Sequence, residues 1–159
     1  MLGTSRSGGK LARALIYGLD VGIDTSHTPL IEAVTEPVHV VLDVLGAPAL
    51  ADNLAVLAPL GRLVLLGFLT GSQANVDLSP ILRKRLQVIG TVMRTRRLEE
   101  RIPLVREFTE RMLPLFEPRP DRPAMLRPVV ERIYSMTQLA DAHRALEENA
   151  TFGKVIVAW

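Results

Sequence analysis

The chain has 159 residues, of which 48% are hydrophobic, and a mean hydropathy of +0.22, values that favour one folded domain with a well-buried core over a disordered protein. The formal net charge is only +2, and the absence of cysteine excludes disulfides, thiolate nucleophiles and thiolate zinc sites within these residues. No apolar run reaches the roughly 18 residues of a membrane span, and no signal-peptide core opens the chain. We therefore expect a cytoplasmic protein with no membrane partner.

The amino-terminal part alternates short strands with short helices. In chain order we predict the tail of a strand at Met1–Gly3, a helix over Leu11–Tyr17, a strand over Val21–Asp24 and a helix over Thr28–Thr35. The first strand lacks the apolar lead-in that would give it a normal length of about five residues. The sequence therefore reads as if it begins inside an element.

The most informative stretch, Val38–Gly71, predicts a strand, a helix and a second strand. His39–Leu45 and Arg62–Phe68 are nearly unbroken apolar runs, which are typical of parallel strands covered on both faces. Gly46 and Gly67 follow the two strands, where a backbone without Cβ can turn sharply or lie against a ligand. In open α/β sheets the ligand crevice lies at these carboxyl ends.

The helix between these strands is predicted over Ala49–Leu57. Its apolar face consists of three leucines, Leu50, Leu54 and Leu57. We expect Asp52 and Asn53 to point away from that face, and Pro59 and Gly61 to close the helix. A connection of this length is a βαβ crossover between parallel strands.

The rest of the chain continues the alternation of helices and strands. The predicted elements are a helix over Pro80–Lys84 with Ser79 as its N-cap, a strand over Leu86–Met93, a helix over Leu98–Phe116, a strand over Val129–Tyr134, a helix over Met136–Asn149 and a strand over Val155–Trp159. The long helix places Ile102, Val105, Phe108, Met112 and Leu115 on one face, and the later helix turns Leu139, Ala142 and Leu146 inward.

Eight separated motifs run through nearly the whole chain: GTSRSGGKL, YGLDVGIDT, VVLDVLGAPAL, LAPLGRLVLLGFLTG, ILRKRLQVIGTVMRTR, RPVVERIYSM, LADAHRALEEN and FGKVIVAW. In this order they resemble the carboxyl-terminal half of the medium-chain dehydrogenase/reductases. Within that superfamily the chain is most similar to the zinc-independent NAD(P)H quinone oxidoreductase branch. The best marker of the branch is the segment Lys84–Gly90 with Arg94, followed by Arg97–Glu100.

The resemblance implies an α/β fold: an incomplete Rossmann-type parallel sheet lacking its first strand, over residues 1–128, plus carboxyl-terminal elements of a GroES-like catalytic domain, over residues 129–159. Strands two to six of that sheet would be Met1–Gly3, Val21–Ile23, His39–Leu45, Leu63–Phe68 and Leu86–Met93. The first strand is central in the order 3-2-1-4-5-6. If its neighbours kept their places, unpaired backbone groups would cost about 1 to 3 kcal/mol each. We therefore expect a truncated chain or a sheet that closes differently.

The resemblance also implies NADPH as the coenzyme. Arg6, Ser7 and Lys10 follow the second strand, where the family separates NADP from NAD. Cationic and hydroxyl groups suit the 2′-phosphate of NADP, whereas an acid, which is missing there, would bind the ribose of NAD. An ordinary solvated loop and helix start would explain the same residues. Thr25 stands where related reductases often place a tyrosine against the cofactor.

Five further residues match positions near the coenzyme in that family. Leu45 and Gly46 match backbone near the ribose, and Gly67, Phe68 and Leu69 match positions near the nicotinamide. A glycine at a strand end and a phenylalanine in a core would give the same pattern.

A late motif, Phe152, Gly153 and Lys154, also matches a segment near the cofactor, although a turn before a strand would also favour Gly-Lys. The three histidines, His27, His39 and His143, lack the spacing of a metal cluster, and we assign no metal ligand. We interpret Asp43 as a structural residue at the end of its strand. No residue of this chain is assigned as catalytic.

The implied activity is hydride transfer from NADPH to a small-molecule electron acceptor, namely a quinone, a carbonyl or a conjugated alkene. A fragment of a zinc-dependent alcohol dehydrogenase and a non-catalytic dimerising remnant are the alternatives. Related enzymes dimerise by pairing the sixth strand, so we expect a homodimer through Leu86–Met93. The arginines between Arg83 and Arg101 lack interleaved aromatics, so no nucleic acid partner is expected.

Overall fold

The computed structural model describes residues 1–159, and strands and helices alternate along most of them. The strands are β1 (Leu2–Ser5), β2 (Val21–Asp24), β3 (Val38–Asp43), β4 (Leu57–Leu65), β5 (Gln87–Gly90), β6 (Val130–Ser135) and β7 (Lys154–Ala158). The α-helices are α1 (Gly8–Leu15), α2 (Leu30–Ala33), α3 (Leu50–Val56), α4 (Ser79–Lys84), α5 (Leu98–Arg111) and α6 (Leu139–Glu147). Every strand pair is parallel, so the α/β fold class is confirmed.

The chain divides into two units, Met1–Thr95 and Arg96–Trp159. The first unit holds a two-stranded sheet, β1–β2, and a three-stranded sheet in the order β3–β4–β5. These are the orders expected on either side of the central strand of a doubly wound sheet. The predicted incomplete sheet is confirmed, and it is divided at that place rather than closed in another way.

The core of the first unit is built by the leucines of the central crossover. Leu54, Leu57, Leu63 and Leu86 form its buried cluster, and Leu50 packs against them. The predicted leucine face of α3 is therefore confirmed. The prediction for Asn53 is wrong, because this residue is only 5% exposed. Both α2 and α4 pack against α3, so more than one face of the helix is covered.

Strand β4 begins directly after α3 and contains the two residues that were predicted to close the helix. Val38 pairs with Leu57 and Val40 pairs with Arg62, so residues 58–61 form a bulge that includes Pro59 and Gly61. Leu60, between them, has a φ of 65°. The helix ends where it was expected to end, but the second strand starts five residues earlier than Arg62.

Two helix starts differ from the prediction because of side-chain caps. Helix α1 begins at Gly8 rather than Leu11, since Ser7 Oγ accepts a hydrogen bond from the Lys10 backbone nitrogen at 3.4 Å. Ser79 is the first residue of α4 and not its N-cap. Asp77 Oδ1 accepts from the Ser79 backbone nitrogen at 2.8 Å and holds this helix start instead.

Strand β5 covers only Gln87–Gly90, which is shorter than the predicted Leu86–Met93. Its partner β4 ends at Leu65, whose carbonyl accepts a hydrogen bond from Thr91 at 3.0 Å. No strand lies beside residues 92–93 to continue the ladder.

The second unit contains α5, the parallel pair β6–β7 and α6. Ala142 on α6 is buried, but Leu139 and Leu146 are exposed, so the inward placement predicted for these two leucines is wrong. A pair of strands is too narrow to cover the whole apolar face of the helix. The predicted stripe on α5 is likewise exposed at Ile102, Val105, Phe108 and Met112. The domain boundary at residues 128 and 129 stays a prediction.

None of the helices combines the length and the apolar composition that crossing a membrane requires.

Candidate functional site

The carboxyl ends of β3 and β4 are joined beyond the strands themselves. Four backbone hydrogen bonds hold residues 43–47 beside residues 66–71: Leu66 N to Asp43 O at 2.7 Å, Leu69 N to Val44 O at 3.0 Å, Thr70 N to Leu45 O at 3.0 Å, and Ala47 N to Gly71 O at 2.9 Å. The two segments that carry Leu45, Gly46, Gly67, Phe68 and Leu69 are therefore brought together, as the sequence predicted for a ligand crevice.

Gly46 is the closest crossing point of the two segments. Its φ is +95°, and a Cβ built on it would lie 2.5 Å from Gly71 O and 2.6 Å from Phe68 Cδ1. The backbone conformation and the lack of space both require glycine here. Contacts within the chain therefore explain the glycine at position 46 without a ligand.

Gly67 stands in a different environment. A Cβ added to it would meet only Val44 O, at the ordinary contact distance of 3.5 Å, and its φ lies outside the left-handed region. Nothing in the chain itself requires glycine at this position. The missing side chain leaves its backbone open to the approach of another molecule.

Apolar side chains surround Gly67 without being covered. Phe68 is 56% exposed and Leu69 is 79% exposed, and Leu45 is also exposed. The alternative interpretation of Phe68, as a residue that fills a core, does not agree with this exposure. An apolar surface beside an open backbone is suited to one face of a planar ring with polar substituents.

The buried carboxylate of Asp43 fixes the turn that leads into this surface. Asp43 is 3% exposed, and its Oδ1 accepts a hydrogen bond from the Leu45 backbone nitrogen at 2.7 Å. Both of its oxygens also accept from the Gly46 backbone nitrogen. The interpretation of Asp43 as a structural residue at the strand end agrees with these contacts.

The second group of predicted residues lies at the start of α1, directly after β1. Arg6 is exposed, while Ser7 and Lys10 are half-buried. The Ser7 hydroxyl is the N-cap of α1, so it already has a structural partner. The first turn of this helix carries no acidic residue.

Sequence reasoning missed an acid that the fold brings to this place. Asp24 ends β2, which pairs with β1, and Asp24 Oδ2 lies 3.5 Å from the Cβ position of Gly8. Ser26 donates to Asp24 Oδ1 through its hydroxyl at 2.5 Å and through its backbone nitrogen at 3.0 Å. These hydrogen bonds, together with one from the Gly8 backbone, keep the pKa of Asp24 below its usual value. The Asp-Thr-Ser spacing at a strand end was the signal for this turn.

The third group, Phe152, Gly153 and Lys154, belongs to the second unit. Gly153 has a φ of +104°, and a Cβ on it would lie 2.5 Å from Val129 O. Lys154 N donates to the same carbonyl at 2.7 Å. This geometry is that of a turn before β7, the other interpretation of the motif. No group of three or more His, Cys, Asp or Glu side chains is placed to hold a metal ion.

Comparison with known proteins identifies the family. Residues 17–157 match the sequence pattern of the zinc-binding dehydrogenases. The chain belongs to the zinc-binding dehydrogenase family. The resemblance to the carboxyl-terminal half of the medium-chain dehydrogenase/reductases is thereby confirmed. No curated protein sequence gives a significant match.

Solved structures of this superfamily resemble the chain over nearly its whole length. The quinone oxidoreductase of Thermus thermophilus, solved alone and in complex with NADPH, is 28% identical with a TM-score of 0.81, covering 99% of this chain and 49% of that one. A candidate alcohol dehydrogenase from Sinorhizobium meliloti 1021 is 27% identical with a TM-score of 0.72, covering 99% and 43%. This chain thus spans less than half the length of either neighbour.

Proposed function

We propose that this zinc-binding dehydrogenase family member is an NADPH-dependent oxidoreductase of the quinone oxidoreductase type. Its substrate would be a small electron acceptor: a quinone, a carbonyl compound or a conjugated alkene. The observation that carries the proposal is the joined end of β3 and β4, where exposed Leu45, Phe68 and Leu69 surround the open backbone of Gly67. The Thermus thermophilus neighbour, solved with NADPH, supports this choice of coenzyme.

The residues at this place fit the nicotinamide end of a dinucleotide. The exposed apolar side chains of Phe68 and Leu69 suit one face of the ring, and the space at Gly67 lets the ring approach the backbone. When bound, NADPH supplies a hydride from its nicotinamide ring. This chain would position the ring and shield one face from water. No pyrophosphate-binding turn of the G-x-G-x-x-G type occurs in the 159 residues.

The start of α1 would set the preference between coenzymes. Arg6 lies directly after β1 and Lys10 lies in the first turn of α1, and both cations would attract a 2′-phosphate. Substituting both with alanine should weaken the binding of NADPH and leave that of NADH unchanged. Titration of the purified chain with each coenzyme measures this. An equal loss for both coenzymes would refute the role.

A zinc-dependent alcohol dehydrogenase is the second candidate. The Sinorhizobium meliloti neighbour favours it, at an identity within one per cent of that of the quinone oxidoreductase. Any zinc ligands would be supplied from outside this chain. Metal analysis of a protein that combines this chain with the rest of the fold separates the two candidates, because one zinc per subunit favours the alcohol dehydrogenase.

We also propose that the protein forms a homodimer through the edge of β5. The Thr91 backbone nitrogen donates to Leu65 of β4, so by alternation Val88 directs its backbone groups to the outer edge of β5. No strand pairs there, and Val88, Val92 and Met93 are exposed. Light scattering on a Val88→Pro variant tests this proposal. A dimer that persists unchanged would rule out edge pairing at β5.

A further inference from the structure

The second unit has a cavity of about 390 Å³ that lies between β6 and α6. Strand β6 contributes Arg132 and Tyr134 to its wall, helix α6 and its ends contribute Gln138 and Glu148, and Thr151 follows the helix. The volume is within the range of small-molecule sites in proteins, about 300 to 1,000 Å³. None of the residues that we assign to the coenzyme lines this cavity.

The wall of the cavity includes one buried polar side chain, that of Tyr134. This residue is 6% exposed, and its hydroxyl group forms no hydrogen bond within the chain. Every fully buried side-chain oxygen or nitrogen of the protein does have a partner, so the Tyr134 hydroxyl must be accessible at an opening. The cavity that Tyr134 lines is that opening. The hydroxyl can therefore donate a hydrogen bond to a bound molecule or accept one from it.

A positive charge stands beside this hydroxyl. The Cζ atom of Arg132 lies 4.9 Å from the centre of the Tyr134 ring, a distance at which the cation is attracted by the aromatic face. Arg132 forms no ion pair, whereas the other arginine of the cavity, Arg144, is bound through Nη1 to Asp141 Oδ1 at 2.9 Å. A guanidinium group without an acidic partner matches the geometry of a carboxylate. This part of the cavity therefore suits a carboxylate group.

The cavity also contains a free negative charge, on Glu148. This residue is the C-cap of α6, its side chain is exposed, and its carboxylate has no hydrogen-bond partner within the chain. The carboxyl end of a helix favours a positive charge, and the Glu148 carboxylate adds to that preference. Arg132 and Glu148 line the same cavity without forming an ion pair with each other. The cavity thus has room between two unpaired, opposite charges.

We infer that this cavity binds a small zwitterion, an amino acid whose ammonium and carboxylate groups stand at the two ends of a short carbon chain. Arg132 and the Tyr134 hydroxyl bind its carboxylate, and Glu148 binds its ammonium group. The separation of the two groups in the ligand follows from the separation of the two charges in the cavity. The inference is independent of the coenzyme and of the proposed oxidoreductase activity.

Three probes of the same chain length test which charges are recognised. They are 4-aminobutyrate, which has both charges, butyrate, which has only the carboxylate, and butylamine, which has only the ammonium group. Each is titrated into the isotope-labelled 159-residue chain, and the amides of Tyr134, Ala145 and Thr151 are followed by NMR. We expect 4-aminobutyrate to shift these amides with a dissociation constant on the order of 1 mM, about tenfold below those of the other two probes.

Matched variants assign each charge to its residue. Arg132→Gln should weaken 4-aminobutyrate and butyrate by about tenfold without weakening butylamine, and Glu148→Gln should weaken 4-aminobutyrate and butylamine without weakening butyrate. Tyr134→Phe should weaken both carboxylates by about threefold or more. The controls are Arg127→Gln and Glu147→Gln, at exposed positions outside the cavity, and they should bind all three probes as the wild type does.

Three results would overturn the inference. One is a titration with 4-aminobutyrate to about 50 mM that leaves the three amides unshifted. Another is equal affinity for 4-aminobutyrate and butyrate, because the cavity would then not recognise an ammonium group. The last is a loss of binding in Arg127→Gln or Glu147→Gln as large as that in Arg132→Gln and Glu148→Gln, since binding would then depend only on the overall charge of the chain.

Discussion

Both carboxylate oxygens of Asp43 lie 3.2 Å from the backbone nitrogen of Gly46, the residue at which the ends of β3 and β4 cross. This contact links a buried carboxylate to a turn that requires glycine. The position of the apolar surface at Phe68 and Leu69 follows from it, because Gly46 leaves room for Phe68 against its backbone.

Two glycines beside the same surface should respond differently to alanine. Gly46→Ala forces a left-handed backbone on a residue with Cβ and places that atom against Gly71 O, so we expect a loss of roughly 2 kcal/mol or more in the free energy of unfolding. Gly67→Ala should leave stability unchanged and weaken coenzyme binding. Urea unfolding and NADPH titration of the two variants measure the contrast. A stability loss for Gly67→Ala equal to that for Gly46→Ala would contradict it.

Substituting Asp43 should destabilise the turn through its backbone partners. In the Asp43→Asn variant the remaining side-chain oxygen can take the place of Oδ1 and accept from Leu45 and Gly46, but the amide group replaces Oδ2 and turns a donor toward the Gly46 N–H. We expect this substitution to lower the free energy of unfolding by roughly 1 to 3 kcal/mol. Asp52→Asn, an exposed position on α3, is the control and should have little effect. Equal midpoints of urea unfolding for the two variants would be evidence against this role.

Lys84 stabilises the junction between α3 and β4. Its Nζ donates to three carbonyl oxygens, at 3.1 Å to Leu54, 2.7 Å to Ala55 and 2.8 Å to Leu57. These bonds place a positive charge against two of the last carbonyls of α3 and the first carbonyl of β4. Lys84→Met should therefore lower the free energy of unfolding by roughly 2 kcal/mol or more.

The control for Lys84 is its neighbour Arg83, which is exposed and donates only to the Ser79 hydroxyl. Arg83→Met should change the free energy of unfolding by less than about 0.5 kcal/mol. A loss of stability in Arg83→Met as large as that in Lys84→Met would show that the three hydrogen bonds of Lys84 to backbone carbonyls are not the cause.

Asp24 should oppose the binding of NADPH relative to NADH. The Asp24 carboxylate lies beside Gly8 at the start of α1, because β2 pairs with β1. Gly8 stands between Arg6 and Lys10 in the sequence, so Asp24 would repel a 2′-phosphate bound by these two cations. We expect Asp24→Asn to lower the dissociation constant for NADPH several-fold and to leave or raise that for NADH. Fluorescence titration with both coenzymes measures the ratio.

The pH dependence of this effect follows from the pKa of Asp24. Hydrogen bonds from Ser26 keep that pKa below its usual value, so the carboxylate stays charged at about pH 5 and above. The ratio of the dissociation constants for NADPH and NADH should therefore change in the same direction between wild type and Asp24→Asn at about pH 6 and at about pH 8. A preference for NADH that increased in Asp24→Asn would contradict the repulsion.

The strands of the central crossover were predictable because their signal is local. The apolar runs at β3 and β4 and the leucines of α3 are set by periodicity within a few residues, and the glycines mark where the chain turns. The pairing of Leu45 and Gly46 with Phe68 and Leu69 also followed from the rule that parallel strands end at one edge.

Features that depend on a neighbouring element could not be predicted in this way. Asn53 is buried because two helices pack against α3, and β5 is short because β4 ends at Leu65. Asp24 reaches the start of α1 only through the pairing of β2 with β1. The exposed face of α5, for example at Phe108, follows from the absence of a covering element in this unit.

We propose that the joined ends of β3 and β4 bind the nicotinamide end of NADPH. Titration of the isotope-labelled 159-residue chain with NADPH, followed by backbone NMR, tests it most directly. We predict shifts at the amides of Gly46, Gly67 and Leu69, with a dissociation constant on the order of 1 mM or below. Saturating NADPH that leaves these three amides unshifted, or that shifts only residues elsewhere, would contradict the claim.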